Sequence, residues 1–378
     1  MFNLSTLNDF TKTERWWRTE VPTKIVLSDN GVRDILALVS ANEKNTPFFI
    51  IDKALSSGDN HSIFAPILSE RDVFIFDATA SEPKTSDVDA ITRMIAEGGT
   101  NPDVIIGVGG GSAMDLAKAT GICLANPGSA AQYQGWGLDM APGVDCWALP
   151  TLAGTGAELT PIAVLRGPEK KLGINNPLVS PKVAVIDPQL SKNANKFNRF
   201  YTMMDCYFHH YEITVSRTSA ENALLDARDG LELSRRILRQ DLSDHELATA
   251  IDSAKASILG GSSTIGGRVG AAHAISYGLS NAGPKLPHSV AVTISMLALP
   301  SLYEAGGYGE TIEYMKLNGI PVPRAADYGI TQEDIPKMTK TALGMDKLWL
   351  SHFGEGWDKL VTQSFVENIY RRILAPIL

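Results

Sequence analysis

The first half of the chain alternates short apolar runs with segments of helical period. Lys24–Leu27 reads as a strand, and Asp29-Asn30-Gly31 as a turn into an amphipathic helix near Val32–Val39. Pro47–Asp52 carries Phe48, Phe49, Ile50 and Ile51 in succession, the length and composition of a strand buried on both faces. Val73–Asp77 is a third strand. Ser86-Asp87-Val88-Asp89 then caps a helix predicted to run to about Glu97 and to end at Gly98-Gly99. Asp103–Val108 is a fourth strand, opening directly into Gly109-Gly110-Gly111-Ser112 and a helix to about Leu124. Cys146–Pro150 and Val183–Ile186 are further apolar runs. Strands separated by helices of about 10–15 residues predict a parallel, Rossmann-like sheet covered on both faces.

After Asp187-Pro188 the pattern changes to helical period with few β-branched runs. Helices are predicted over Phe200–Val215, Ala220–Arg239, His245–Ser262, Gly270–Leu279, Ser289–Tyr303, Tyr308–Leu317, Gln332–Ala342 and Val366–Ile373. Gly143–Pro150, Asn175–Pro181 and Ala282–Pro287 are the main irregular stretches. The boundary therefore falls near residue 188, with an α/β domain over 1–188 and an all-helical domain over 189–378. A length of 378 residues suits two domains, at about 100–200 residues each.

Composition narrows the class. With 44% hydrophobic positions the chain can bury a sizeable core, and a net charge of −8 argues against nucleic acid or an anionic membrane as the main partner. No run approaches the roughly 18 apolar residues of a membrane span. Met1–Glu20 carries Asp9, Lys12, Glu14 and Arg15 where an export signal needs an unbroken apolar segment. Three cysteines (Cys123, Cys146 and Cys206) make no disulfide framework, and no CxxC pair offers a zinc site. A cytoplasmic protein of a reducing compartment is the expectation. Glycine is the unusual component, 33 residues, and its placement carries chemistry.

Gly107-Val108-Gly109-Gly110-Gly111-Ser112, followed by Asp115 and Lys118, runs from strand through a glycine turn into a helix N-terminus. Backbone N–H groups and the helix dipole there make an anion site, and glycine lets a pyrophosphate approach closely. The turn departs from the usual dinucleotide fingerprint, which follows the first strand and has an acid about 20 residues later. Asp52, at the end of an earlier strand, is the candidate for a ribose instead. A second turn, Pro150-Thr151-Leu152-Ala153-Gly154-Thr155-Gly156-Ala157-Glu158, follows another apolar strand and brings hydroxyls that can clamp a cofactor. Either turn alone is also an ordinary loop; together they favour phosphate.

Among seven histidines, His209 stands four residues after Asp205 in a helical segment, so both project from one face. His210 would point about 100° away. His273 and His288 lie in or beside two later helices. One carboxylate and three imidazoles suit a divalent metal such as iron, zinc or manganese, although an Asp-x3-His pair by itself is more often a surface or capping arrangement.

Taken together, Gly109-Gly110-Gly111-Ser112-x-x-Asp115-x-Ala117-Lys118, Thr151-x-x-Gly154-Thr155-x-x-Glu158, Met204-Asp205-x3-His209-x2-Glu212 and His273-Ala274-x-Ser276 resemble the metal-dependent (iron-type, group III) alcohol dehydrogenases. The resemblance spans about residues 22–375 and implies the dehydroquinate synthase-like, iron-containing alcohol dehydrogenase fold. Within the family the chain looks most like the 3-deoxy-D-manno-octulosonate (Kdo) 8-oxidases, on Gln134-Gly135-Trp136, Arg166–Gly173, Met204–Tyr207 and Ser276–Leu279. Those enzymes convert a terminal CH2OH of the sugar acid to an aldehyde for later amination. The resemblance implies that Gly109, Gly110, Gly111 and Ser112 hold the pyrophosphate of NAD or NADP and that Asp115, in the same motif, is cofactor-binding too. It further implies that Thr151 and Thr155 flank the cofactor, with Asp52 at the adenosine ribose and Lys171 on the nicotinamide side. Asp205, His209, His273 and His288 would be the metal ligands. A polyhydroxylated small-molecule substrate and a homodimer are expected, the active site lying in a cleft between the domains.

Three departures from the family pattern stand out. Tyr277 occupies the place where a histidine often relays a proton, and a phenol of reference pKa about 10 is a poorer match to neutral pH. His288 is followed by serine rather than glycine and comes one position late, between Pro284, Pro287 and Ser289. Met203 replaces a usual glycine. Arg268 and Lys285 are candidate cations for a substrate acid, each also readable as a solvated surface charge. A dehydrogenase of another small alcohol, a dehydroquinate-synthase-like cyclase and a non-catalytic relative are the rival readings.

Overall fold

The computed structural model describes residues 6–78, 82–243 and 246–375. Two compact units form, one of Met1–Trp16, Glu20–Ala194 and His245–Ala254, the other of Trp17–Thr19, Asn195–Asp244 and Lys255–Leu378. In the first, the strands are β1 (Lys24–Leu27), β2 (Pro47–Asp52), β3 (Val73–Phe76), β4 (Val104–Gly109), β5 (Gly135–Trp136), β6 (Asp145–Pro150), β7 (Ile162–Arg166), β8 (Lys171–Asn175) and β9 (Val183–Ile186). Six of them build one sheet, ordered β1-β9-β6-β4-β2-β3 and parallel throughout. The parallel α/β expectation is met, and three of its strands have the predicted bounds.

The alternation along each strand explains the two-sided core. Phe48 and Ile50 of β2 pack on one face with Ile105 of β4 and Cys146 of β6. Phe49 and Ile51 pack on the other with Val104, Ile106, Val108, Trp147 and Leu149. Successive side chains point to opposite faces, so a run of four apolar residues is what a doubly covered strand requires. Gly107 lies where the helix Gly111–Cys123 crosses β4: a Cβ there would stand 2.9 Å from Ala117 Cβ and 3.0 Å from Met114 Cα. Its missing side chain lets the helix sit down on the strand.

A second, small sheet, β5-β8-β7, is not foreshadowed by the apolar pattern. Its strands are short, and Gly173 and Lys171 interrupt the run of apolar residues in β8. A helix over His61–Leu68 was missed as well, because Pro66 sits inside it.

The second unit is helical, with helices Lys196–Thr214, Glu221–Leu238, Ala271–Ala282, His288–Leu297, Pro300–Leu317, Ile335–Leu343, Asp346–Phe353, Trp357–Leu360 and Gln363–Ile373. A further helix runs Leu247–Gly266; His245, where it was expected to begin, lies outside the described residues. The single helix expected over Ser289–Tyr303 is two. Pro300 has no N–H to give and its ring would meet the carbonyl of Met296, so one helix stops at Leu297 and the next starts with Pro300 in its first turn. Among the described residues no helix is long and apolar enough to cross a membrane.

Two glycine substitutions should move stability in opposite directions. Gly107→Ala overpacks the strand–helix contact and should cost about 1–3 kcal/mol. Gly309→Ala, in a helix with nothing within 4 Å of the added carbon, should gain about 0.4–1 kcal/mol. Urea-unfolding midpoints of the two variants check both signs.

Candidate active site

In the first unit the candidate nucleotide residues gather at the carboxyl ends of β2, β4 and β6. The chain leaves β2 toward β3 at one edge, then returns to β4 and proceeds through β6 to β9 on the other side. The place between β2 and β4 is therefore a topological switch point, where open α/β sheets leave a crevice for ligands. Gly109 ends β4 with φ +150°, and a Cβ on it would lie 3.0 Å from Asp52 Cβ. Thr151, directly after β6, donates its N–H to the Gly109 carbonyl at 2.9 Å. A Cβ on Gly111 would stand 3.2 Å from Thr155 Oγ1. Gly110 is the N-cap of the 13-residue helix Gly111–Cys123, with no side-chain cap and no acid in the first turn. The first-turn N–H groups at Gly111, Ser112 and Ala113 have no carbonyl four residues back within the helix. An anion would be drawn there by both the open donors and the dipole. The bare turn is a cradle that side chains would fill, and it fits a pyrophosphate.

The remaining candidates of this unit are engaged in distinct ways. The Asp52 carboxylate accepts the Ala54 N–H at 3.0 Å, and burial, with Asp77 nearby, raises its pKa. Asp115 turns away from the glycine turn toward β7: it accepts from Lys118 Nζ at 3.1 Å and from the Val164 N–H at 3.0 Å, and burial raises its pKa. Lys118 is fully buried and also donates to the Ile162 carbonyl at 2.8 Å, so this pair fastens the helix to the small sheet. Lys171 is buried on β8, its ammonium held by Glu82, which also pairs with Arg166 at 3.0 Å.

The second unit assembles the candidate metal ligands. Asp205 and His209 come from the helix Lys196–Thr214, His273 from Ala271–Ala282, and His288 opens His288–Leu297. One donor atom each from Asp205, His273 and His288 lies within 4.8 Å of the other two. His209 borders this trio rather than joining it at that distance. Its Nε2 is 3.9 Å from Asp205 Oδ1, and its ring stacks on His273 with centroids 4.9 Å apart. His210 points elsewhere, bonded to the Ala256 carbonyl at 3.2 Å, as the helical geometry requires. Tyr277, one turn beyond His273, has its ring centroid 6.3 Å from that of His288.

Electrostatics mark the cluster as unusual. Burial alone would raise the Asp205 carboxyl, but His209, His273 and His288 together hold it well below the usual carboxylate range. Burial lowers His209. For His273 burial works the same way, yet Glu212 and Asp205 outweigh it and push the imidazole up to about 9. Asp205 Oδ1, His273 Nε2 and His209 Nδ1 are buried and without a hydrogen-bond partner among the described residues. Leaving such an atom unmet costs about 1–3 kcal/mol. The converging atoms of Asp205, His273 and His288, two of whose side chains carry unmet buried donors, fit a divalent cation, with His209 beside them as the further candidate ligand.

Glu212, the last residue of the Asp205-x3-His209-x2-Glu212 pattern, is a further participant. It is buried, contacts His273 Nδ1, and accepts one backbone N–H, that of Ala272 at 2.8 Å, and the Tyr303 O–H. Its spacing was the available signal: seven residues after Asp205 and three after His209 place it on the same helical face. Nothing in the sequence marked Tyr303, which arrives from a separate helix.

A sequence profile for iron-containing alcohol dehydrogenases matches residues 22–188. Over 288 residues, 73% of this chain and 71% of the other, the protein is 30% identical to alcohol dehydrogenase 4 of Saccharomyces cerevisiae. The chain belongs to the iron-containing alcohol dehydrogenase family. Members are oxidoreductases, and so is this protein. It is also 28% identical to the NAD-dependent methanol dehydrogenase of Bacillus methanolicus, with 73% of each chain covered. Among solved structures, a 1,3-propanediol oxidoreductase shares the fold at a TM-score of 0.78 and 24% identity, covering 95% of this chain and 100% of that one. The sulfoacetaldehyde reductase of Bifidobacterium kashiwanohense, solved in complex with NAD+, does so at 0.78 and 21%, covering 96% and 100%.

The geometry makes the roles of neighbouring histidines separable. Asp205→Asn and His273→Ala should each deplete bound iron or zinc to near zero, measured by elemental analysis after reconstitution. His210→Ala should retain the metal while lowering the thermal midpoint, because it empties a core position.

Proposed function

We propose that this chain oxidises a primary alcohol to an aldehyde, or runs the reverse, with a divalent metal in the Asp205 cluster and NAD or NADP on the β4 turn. The observation that carries the reading is the convergence of Asp205, His273 and His288 within 4.8 Å, with the buried Asp205 Oδ1 and His273 Nε2 unmet by any hydrogen-bond partner among the described residues. A metal with these ligands supplies Lewis-acid polarisation of an alcohol oxygen, and a nicotinamide dinucleotide supplies the hydride acceptor. The NAD-dependent relative from Bacillus methanolicus and the NAD+ complex of a structural neighbour support the choice of cofactor.

The chain's own residues divide the work. The turn at Gly109, Gly110, Gly111 and Ser112 binds the pyrophosphate, Asp52 meets the adenosine ribose, and Thr151 and Thr155 flank the cofactor. Lys171, fixed by Glu82, serves the nicotinamide side. Tyr277, partly exposed, carries the alcohol proton toward water.

The finer proposal is a sugar-acid substrate with a terminal CH2OH, as in the Kdo 8-oxidases that the sequence resembles. Arg268 supports it. Burial lowers the pKa of its guanidinium, and no carboxylate pairs with it among the described residues. An anionic group on the substrate would supply the missing countercharge. Lys285, by contrast, is exposed.

Elemental analysis together with titration of NAD and NADP by nicotinamide fluorescence tests the core reading; a protein that binds neither would end it. Steady accumulation of NADH with substrate separates a dehydrogenase from a cyclase that regenerates its cofactor. Tyr277→Phe should lower kcat by about 10²–10⁴ with metal content unchanged. Arg268→Met should raise KM for a sugar acid while leaving kcat and the KM of a neutral primary alcohol near wild type.

A further inference from the structure

We infer that Glu212, supported by Tyr303, is the positioning residue of the metal centre: its carboxylate sets the proton of His273 on Nδ1 and so leaves Nε2 free to ligate. The inference rests on reading Asp205, His209, His273 and His288 as metal ligands.

The geometry of one carboxylate carries it. Glu212 lies on the helix Lys196–Thr214 and faces the start of Ala271–Ala282. Its Oε2 meets His273 Nδ1, while Oε1 takes the Ala272 N–H at 2.8 Å and the Tyr303 O–H. Tyr303 Oη is itself 3.0 Å from the Ala272 nitrogen, closing the group. A carboxylate only accepts, so the nitrogen facing it, Nδ1, carries the N–H whatever the charge of the ring, and a His273 that ligates must do so through Nε2. The lone pair then falls on Nε2, which lies 3.5 Å from Asp205 Oδ1 and has no hydrogen-bond partner among the described residues.

The same carboxylate fixes the ring's location. Gly270, the N-cap of the helix that carries His273, offers no side-chain cap, so Glu212 caps that helix from outside with a full negative charge. A Cβ on Gly270 would lie 3.3 Å from Glu212 Oε1, from Tyr303 Oη and from His352 Cβ, so the bare backbone is what lets the carboxylate close. Helix end, ring orientation and proton location therefore depend on one side chain.

Glu212→Gln keeps the shape and inverts this logic. With the amide NH2 toward His273, Nδ1 must accept, the proton moves to Nε2 and the ligating lone pair is lost. With the amide reversed, NH2 opposes the Ala272 N–H. Tyr303→Phe removes one supporting donor and leaves the tautomer alone. Zn2+ affinity, measured by chelator competition, is expected to fall about 10–100-fold in E212Q, and markedly less in Y303F. The d–d spectrum of Co2+-loaded E212Q is expected to shift, with circular dichroism of both metal-free variants like wild type. In Zn2+-loaded wild type, histidine 15N NMR should show His273 protonated at Nδ1, a readout independent of whether E212Q folds. Wild-type Zn2+ affinity in E212Q, equal losses in the two variants, or ligation of His273 through Nδ1 would each overturn the inference. Absence of Zn2+ binding by wild type would instead remove the metal reading beneath it.

Discussion

The arrangement of the helical unit turns on one buried carboxylate. Glu212 sits among a backbone N–H, a phenol and an imidazole, and each contact replaces water that burial has removed. A charged group left unpaired at that depth would cost several kcal/mol; bonds to an ionised acceptor are worth roughly 1.5–3 kcal/mol each. Because the donors come from the first turn of another helix, satisfying the charge also locks the two helices together in register. Asp205 and His209 then face His273 as a consequence of how Glu212 is satisfied. The side chains that would bind a cation gain their geometry from one that would not touch it.

The sheet unit reaches a comparable end by omission. Its site is built from missing side chains: Gly107 lets the helix lie on β4, Gly109 takes a backbone conformation with Asp52 hard beside it, and Gly111 makes room for Thr155. Helix N-termini attract anions wherever they occur. What singles out this one is its place at the switch point, directly after the glycine turn that ends β4. Asp115 and Lys118, polar members of the same motif, serve the scaffold by tying that helix to the small sheet. A motif can thus mix residues that shape a site with residues that hold the site in place.

How much of this was legible beforehand follows the range of the forces involved. The runs Pro47–Asp52 and Val183–Ile186 were read to the residue because burial on both faces leaves an unbroken apolar signature. The small sheet was not, since pairing between β7 and β8 is sealed by partners such as Gln134, whose amide donates to the Leu165 and Leu172 carbonyls at 2.8 Å. Such a bond from a distant residue leaves no local period. In the candidate site, the Asp205–His209 pair was visible from helical spacing and the glycine turn from composition. Tyr303, 91 positions from Glu212, and Glu82, 89 from Lys171, were invisible, as their roles exist only after folding.

The adjacent histidines show how tightly that folding is specified. His209 and His210 differ by one position, yet one faces Asp205 and the other is sealed in the core. His210 fits because Gly230, in the middle of the helix Glu221–Leu238, has no side chain: a Cβ there would fall 2.0 Å from the imidazole Cε1. A mid-helix glycine gives up roughly 0.5–1 kcal/mol relative to alanine, so the seat has a cost that ordinary packing would not require. What it secures is rotation. With His210 seated against Gly230 and Gly260 and bonded to the Ala256 carbonyl, the helix cannot turn about its axis without driving the ring into backbone. The opposite face, bearing Asp205, His209 and Glu212, is thereby held toward His273. The histidine that faces the core is the back-stop for the one that faces the cluster.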